Sequence, residues 1–236
     1  MTAQKRKSFL ILLAVSLAIG VPLLFYVIAK VMGKDKLEMP SYYREDVAIP
    51  NHKATELVKE GKILPVEDLV ATNQFGDKIS LNKDLAGRML VVNFFFTTCT
   101  STCPKLTQHL KILEYAFRRT PMARNDTTVQ FISITVDPEH DTAEALRAYA
   151  RKWKVDENHW WFLTGDKKML YQWARSQFAL HVPAGDGGAD DFVHSNMLVL
   201  IDKDRFVRGY YNGLDTNAIG RCANDMGLLD MERKHH

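Results

Sequence analysis

Two cysteines separated by three residues, in Thr98-Cys99-Thr100-Ser101-Thr102-Cys103-Pro104, are the side chains best suited to chemistry in this sequence. They follow the apolar run Met89–Phe96, and Pro104 can open a helix, where its missing N–H costs nothing. A helix N-terminus turns unpaired N–H groups and a positive dipole end toward whatever sits there, which favours thiolate over thiol. Both sulfurs are therefore expected to be accessible and partly ionised near neutral pH. Dithiol oxidoreductase motifs use two intervening residues, whereas Cys99 and Cys103 have three. Residues four apart on a helical turn stand about 5–6 Å apart at Cβ. A metal ion bridges sulfurs at that separation, while a disulfide needs the turn to tighten. The spacing leans toward a metal site without excluding a disulfide.

The surrounding pattern supplies the elements that must hold the pair. Val66–Ala71 and Lys78–Leu81 flank Asn73-Gln74-Phe75-Gly76-Asp77, a hairpin signal. Met89–Phe96 reads as a central strand buried on both faces. Pro104–Arg119 places Leu106, Leu110, Leu113 and Phe117 on one helical face, and Val129–Val136 is a second buried strand. Helix Thr142–Trp153, strand Trp160–Leu163 and helix Lys167–Phe178 follow. Strands Asn196–Ile201 and Phe206–Tyr211 turn through Asp202-Lys203-Asp204, and helix Thr216–Leu228 closes the chain. A βαβ unit, an antiparallel hairpin and a closing helix, with a dithiol at the first strand-to-helix junction, resemble the thioredoxin-like arrangement. The fold class expected is α/β, one mixed sheet with helices on both faces.

In domains of that arrangement the residue just before the hairpin strand packs against the dithiol, and a cis-proline usually holds the place. Phe192-Val193-His194-Ser195-Asn196 puts His194 there instead. Two thiolates and one imidazole form a soft, low-coordinate donor set that suits Cu(I), can accommodate Cu(II) and holds Zn(II) less selectively. The polar stretch from Ala179 to Val193 is read either as a segment that moves His194 on and off the metal or as a surface insertion.

Composition limits the alternatives. With 236 residues, 46% hydrophobic and 25% charged, the chain holds one ordinary globular domain with some length left over. The net charge of +3 is misleading, because six Lys/Arg and one acid lie between Met1 and Lys36. The remainder carries 25 basic and 27 acidic residues, a balance that argues against nucleic acid as a partner. Phe9–Ala29 contains no charge. As a helix it is about 31 Å long against a hydrocarbon thickness of about 30 Å, so an uncleaved single-pass anchor is expected. The basic Lys5-Arg6-Lys7 ahead of it favours a cytoplasmic N-terminus and an exported domain. The organisation expected is a tail at 1–8, an anchor at 9–31, a tether at 32–62, the thioredoxin-like domain at 63–229 and a polar tail at 230–236.

Together these residues resemble the Sco/SenC family of membrane-anchored copper proteins that help to mature the CuA centre of cytochrome c oxidase. The resemblance rests on Phe94-Phe95-Phe96-Thr97-Thr98-Cys99-Thr100-Ser101-Thr102-Cys103-Pro104 and Val136-Asp137-Pro138-Glu139-His140-Asp141-Thr142. Trp161-Phe162-Leu163-Thr164-Gly165 and His194 ahead of a hairpin strand complete it. It implies that Cys99, Cys103 and His194 are copper ligands, that Asp137 assists from behind them, and that oxidase subunit II or another copper-receiving protein is the partner. It also implies a location in the inner or plasma membrane, with the domain on the periplasmic or intermembrane-space side.

Other residues are assigned plainer roles. Asp141 is expected to cap the helix that follows, Cys222 to be a small buried hydrophobe, and Met197 to pack in the core. His109 and His140 read as surface residues, and Tyr149, Trp153, Trp160 and Trp161 as core and rim. A thiol–disulfide oxidoreductase that keeps a target's cysteines reduced, itself recharged by a thiol reductant, would use Cys99 and Cys103 without His194. A peroxidase of the same fold would place a Pro ahead of Cys99, and Phe94, Phe95 and Phe96 stand there instead.

Overall fold

Every residue of Met89–Phe95 is buried, as is every residue of Val129–Thr135, and this double coverage sets the architecture of the computed structural model. It describes residues 16–24, 26–27, 58–59, 62–63, 65–119, 128–178 and 196–233. The chain divides into two units, Met1–Glu38 and Met39–His236. In the first, residues 16–24 form helix α1, whose Leu17, Ile19, Val21, Leu23 and Leu24 are all exposed. No helix among the described residues is long and apolar enough to cross a membrane. The rest of the apolar run Phe9–Ala29 lies outside the described residues, apart from residues 26–27.

The second unit begins with a two-stranded ladder, β1 (Val58–Lys59) and β2 (Lys62–Ile63), within a stretch whose sequence has no sustained period. The main elements follow in order: β3 (Val70–Asn73), β4 (Lys78–Ser80), α2 (Leu81–Asp84), β5 (Met89–Phe95) and α3 (Cys103–Arg118). Next come β6 (Val129–Thr135), α4 (Ala143–Trp153), β7 (Trp160–Thr164) and α5 (Lys167–Phe178). The last three are β8 (Met197–Ile201), β9 (Val207–Asn212) and α6 (Thr216–Arg233). The seven-stranded sheet runs β4-β3-β7-β6-β5-β8-β9. Its centre, β7-β6-β5, is parallel; β3 and β8 are antiparallel to it on either side. This is the mixed α/β sheet that the element order predicts.

Alternation along β5 sends Leu90, Val92 and Phe94 to one core, and Met89, Val91 and Phe95 to the other. The first core is closed by Leu170, Trp173 and Phe178 of α5. The second is closed by Leu106, Leu110 and Leu113 of α3, Leu146 of α4, and Ile219 and Met226 of α6. Each such side chain contributes about 1.5–3 kcal/mol on burial, so the sheet is held from both faces and its strand ends are rigid.

Two boundaries differ markedly from the sequence pattern. The first hairpin begins at Val70 rather than Val66, because the Val66 N–H bonds to Arg205 O (2.7 Å) instead of a strand partner. Asp68 meanwhile turns back to accept from Ser80 Oγ (2.6 Å) and from the Asn82 N–H (2.9 Å). At the other end α6 continues to Arg233, since Asp230 is buried and Glu232 pairs with Arg208 at 3.2 Å.

Candidate metal centre

The chemistry sits where β5 and β6 end side by side. Val136 N–H donates to Phe95 O (2.9 Å), which closes the parallel ladder and releases the chain from β5 into residues 96–102. A buried carboxylate then fixes that loop. Asp141, with no exposed surface, accepts from the Thr97 N–H at 3.1 and 3.3 Å, from Thr97 Oγ1 and from Thr135 Oγ1. Asp141 therefore does not cap α4. The cap is Thr142, whose Oγ1 accepts from the Ala145 N–H (3.3 Å). Either residue type suits an N-cap, and what separates them is that the Asp141 carboxylate is taken up by Thr97 and Thr135.

The dithiol terminates α3. Thr102 is its N-cap but makes no side-chain capping bond. The N–H of Cys103 donates to Cys99 Sγ at 3.4 Å, so a sulfur takes the orphan donor of the first turn. Ser101 Oγ lies 3.7 Å from the same sulfur. Burial is the largest single influence on Cys99 and opposes its ionisation. Hydrogen bonds from the Cys103 thiol, the Cys103 and Ser101 N–H groups and the Ser101 hydroxyl together outweigh it and bring the thiol down to about 6. Cys103 moves the other way: burial, its bond to Cys99 and the neighbouring charge push it up to about 12. Cys99 is half-buried, Cys103 is buried, and both are free thiols. The arrangement is a ready thiolate beside a protonated reserve thiol, which corrects the expectation that both sulfurs are accessible and partly ionised: Cys103 is buried, and burial keeps its thiol protonated.

Aromatic side chains back this pair. Tyr149 of α4 shares a hydrogen bond with Thr107 Oγ1 (2.8 Å), and its ring lies 5.2 Å from Phe95 and 5.8 Å from Phe162. Burial, with smaller contributions from the two cysteines, pushes its hydroxyl up to about 12, so it stays neutral. The stripe of Tyr149, Trp153, Trp160 and Trp161 is core and rim, as its spacing predicts.

His194 lies outside the described residues, as does the preceding stretch 179–193. Among the described residues no group of three or more His, Cys, Asp or Glu side chains is arranged to hold a metal. The pairs Val92↔Val199 and Leu90↔Ile201 orient β8 so that its first residue, Met197, lies toward the end of β5 from which the dithiol loop departs. Asn196 is tied down by Gly213, whose N–H donates to Asn196 O at 2.7 Å. A Cβ at 213 would overlap the Leu106 side chain and sit 3.0 Å from Asn196 O, so glycine is required by close approach.

Two histidines read as plain surface residues have definite partners. His109 Nδ1 lies 2.8 Å from Gly213 O, and since a carbonyl only accepts, Nδ1 carries the proton. His140 Nδ1 bonds to both Asp137 oxygens (3.0 and 2.9 Å), which raises its pKa. Asp137 is thus engaged with His140 rather than with a sulfur. Cys222 is fully buried with its thiol pKa raised by burial, the hydrophobe its helical spacing predicts. Met197 packs against the core. The Asp141–Thr97–Thr135 hub has no sequence signal, because its members are 44 and 6 residues apart and share no period.

The sequence profile described as SCO1/SenC matches residues 65–224, more than half of the chain. The chain belongs to the SCO1/SenC family. Among its members, the SCO1 protein homolog of Bacillus subtilis is 28% identical over 170 residues, 72% of this chain and 84% of that protein. A candidate copper-binding protein of Stutzerimonas stutzeri is 27% identical over 197 residues, 83% of this chain and 91% of its own length. The solved structure of BsSco, a member of the Sco family of cytochrome c oxidase assembly proteins with a disulfide switch, aligns at a TM-score of 0.60 and 28% identity. That alignment covers 71% of this chain and 94% of BsSco. The SCO1/SenC match spans β3 to the first half of α6, and so contains Cys99, Cys103 and the carboxylate hub.

Proposed function

We propose that this chain is a membrane-anchored copper-binding assembly factor, not itself a catalyst, that delivers copper to the CuA site of cytochrome c oxidase subunit II. Cys99, Cys103 and His194 are the ligands assigned to the cargo ion. The observation that carries the reading is the Cys99–Cys103 pair at the tip of α3, one sulfur ionised near pH 6 and the other adjacent to it, in a SCO1/SenC chain. Thiolates are soft donors, so the pair selects Cu(I) over harder divalent ions. Met197 follows His194 by three residues, a span of at most about 10 Å, and this supports the imidazole as third donor.

The exposed apolar side chains of α1 support the anchor, since Leu17, Ile19 and Leu23 at 55–64% exposure have no place in water but suit hydrocarbon. With the basic tripeptide on the cytoplasmic side, the domain lies on the periplasmic or intermembrane-space side.

The decisive experiment is anaerobic Cu(I) loading followed by metal analysis and copper-edge X-ray absorption. One copper per chain with two sulfur neighbours and one nitrogen neighbour is expected. His194→Ala is expected to lose the nitrogen and at least about tenfold in affinity. Unchanged stoichiometry and affinity in that variant would sink the ligand set.

The divergent thiol pKa values favour a second role that needs no imidazole. Cys99 thiolate attacks a target disulfide, one target sulfur leaves as thiolate, and Cys103, giving up its proton, displaces the other. The target gains two electrons, the pair becomes a disulfide, and an external thiol reductant restores it. Reducing a target's cysteines and then metallating them are successive steps, so the two roles are compatible.

A further inference from the structure

Below the dithiol, α3 and α6 leave an open groove of about 260 Å³ lined by His109, Ile112 and Ala116 on one wall and Ile219, Gly220 and Ala223 on the other. Ile112 is 57% exposed at its lip, and the neighbouring Tyr115 is 55% exposed. Gly220 is exposed within α6, and a Cβ there would meet nothing within 4 Å. Glycine inside an exposed helix is disfavoured relative to almost any other residue, and here no steric demand or left-handed backbone requires it. What it does is keep one wall of the groove open.

Among the described residues the exposed charges that α3 and α6 set beside the groove are basic, and the half-buried Asp215 just ahead of α6 is engaged by the Asn217 N–H. Lys105, His109, Ile112, Ala116 and Arg119 share a stripe along α3, so an exposed cation stands near each end. The one acid of α3, Glu114, is buried against Arg118 at 3.4 Å. On α6, Asp225 accepts from Tyr211 OH (2.7 Å), Asp230 is buried and Glu232 pairs with Arg208. The groove thus offers an apolar floor and basic ends with no exposed carboxylate from either helix.

It also adjoins the site. His109 is six residues beyond Cys103, about 9 Å along the axis. Its bond to Gly213 O continues through the Gly213 N–H to Asn196, two residues from His194.

We propose that the α3–α6 groove docks a short amphipathic helical segment of the copper-exchanging protein, apolar at i, i+3, i+4 and i+7 and acidic at both ends. The partner's role rests on the copper-delivery reading; the groove and the chemistry it selects do not. A concave apolar floor accepts one row of side chains from a helix, whereas a lipid surface is met by protruding residues.

The probe is a fluorescent amphipathic peptide of about 14 residues with that leucine spacing and glutamate at both ends, and a twin ending in lysine. Binding is measured to the full-length chain in detergent and in phosphatidylcholine nanodiscs. The acidic peptide should bind at least about tenfold more tightly than the basic one. Gly220→Leu should fill the groove and cost at least about tenfold, while the thermal midpoint holds or rises with helix propensity. Lys105→Glu with Arg119→Glu should invert the preference between the two peptides. Equal binding of both peptides, or unchanged binding by Gly220→Leu, would overturn the proposal. So would a chain dimer dissolved by Gly220→Leu, or loss of peptide binding in discs with about 30% phosphatidylglycerol, which would give the groove to a second copy or to the membrane. Copper content is read on the same samples. Peptide binding without copper would leave the groove standing and remove the delivery reading, and copper without peptide binding would do the reverse.

Discussion

The backbone N–H of Cys103 donates to Cys99 Sγ at 3.4 Å, so helix α3 is capped by a thiolate rather than by the hydroxyl of Thr102. The rate of Cys99 alkylation by iodoacetamide should therefore rise with pH around a midpoint near 6, not near 9. Cys103→Ala keeps the N–H but removes the thiol donor, and should raise that midpoint by roughly one pH unit. The sign for stability follows from the depressed folded value. The contribution is complete above the unfolded thiol's pKa and is lost as pH falls through about 6. Cys99→Ser should flatten that part of the stability–pH curve.

Asp141 ties the dithiol loop to β6, because its one carboxylate accepts from Thr97 and Thr135 at once. Asp141→Ala leaves a buried N–H and two hydroxyls short of acceptors and should cost about 3 kcal/mol in urea unfolding. Asp141→Asn, which keeps one acceptor oxygen, should cost about half as much. Because the loop then loses its anchor, both variants should also raise the alkylation midpoint of Cys99. A stability loss with an unmoved midpoint would confine Asp141 to folding.

How far the sequence disclosed this molecule depends on the range of the interaction. The continuous apolar runs Met89–Phe95 and Val129–Thr135 are local, and their length and flanking turns give both strands almost to the residue. The dithiol at a strand-to-helix junction is equally local. Asp141 was legible only as a residue that could cap, since the choice between it and Thr142 rests on a contact 44 residues away. The end of α6 was hidden for the same reason. Asp230-Met231-Glu232-Arg233 looks like a polar tail until Arg208 of β9 supplies a partner for Glu232 and packing buries Asp230. Asn212-Gly213 is a local turn signal, but the close approach that requires glycine there, from Leu106 and Asn196 O across the packing interface, is not local.

Arg205 illustrates a buried cation used as a staple. It adopts φ +71°, and its guanidinium donates to Asn82 Oδ1 (2.7 Å), Arg88 O (2.9 Å), Leu81 O (2.7 Å) and Leu85 O (2.6 Å). These bonds tie the β8–β9 turn to α2 and to the entry of β5. Arg205→Ala should cost at least about 3 kcal/mol, because four hydrogen bonds to buried acceptors are lost at once, although Leu85 O keeps the Arg88 N–H as a donor. Arg205→Lys should recover only part of this, as one ammonium cannot reproduce a planar fork. The check is chemical unfolding of both variants, with equal losses arguing against a role for the fork geometry.

The three cysteines should separate cleanly by reactivity. Cys222 is fully buried, and burial pushes its thiol well above the ordinary range, so it is neither ionised nor reachable in the folded chain. Brief treatment with iodoacetamide at pH 7 should modify Cys99 first, Cys103 slowly and Cys222 only after denaturation, as peptide mass mapping would record. Cys222→Ala trades the sulfur for a small void and should cost about 1 kcal/mol. Cys222→Ser buries a hydroxyl that can bond only to its own helix, and should cost about 1–2 kcal/mol. In neither variant should the midpoint for Cys99 move, since the groups that set it are Cys103 and Ser101 and not Cys222. Native labelling of Cys222 at a rate comparable to Cys99 would mean that α6 opens locally, and would place the weakest part of the fold against the groove rather than at the dithiol loop.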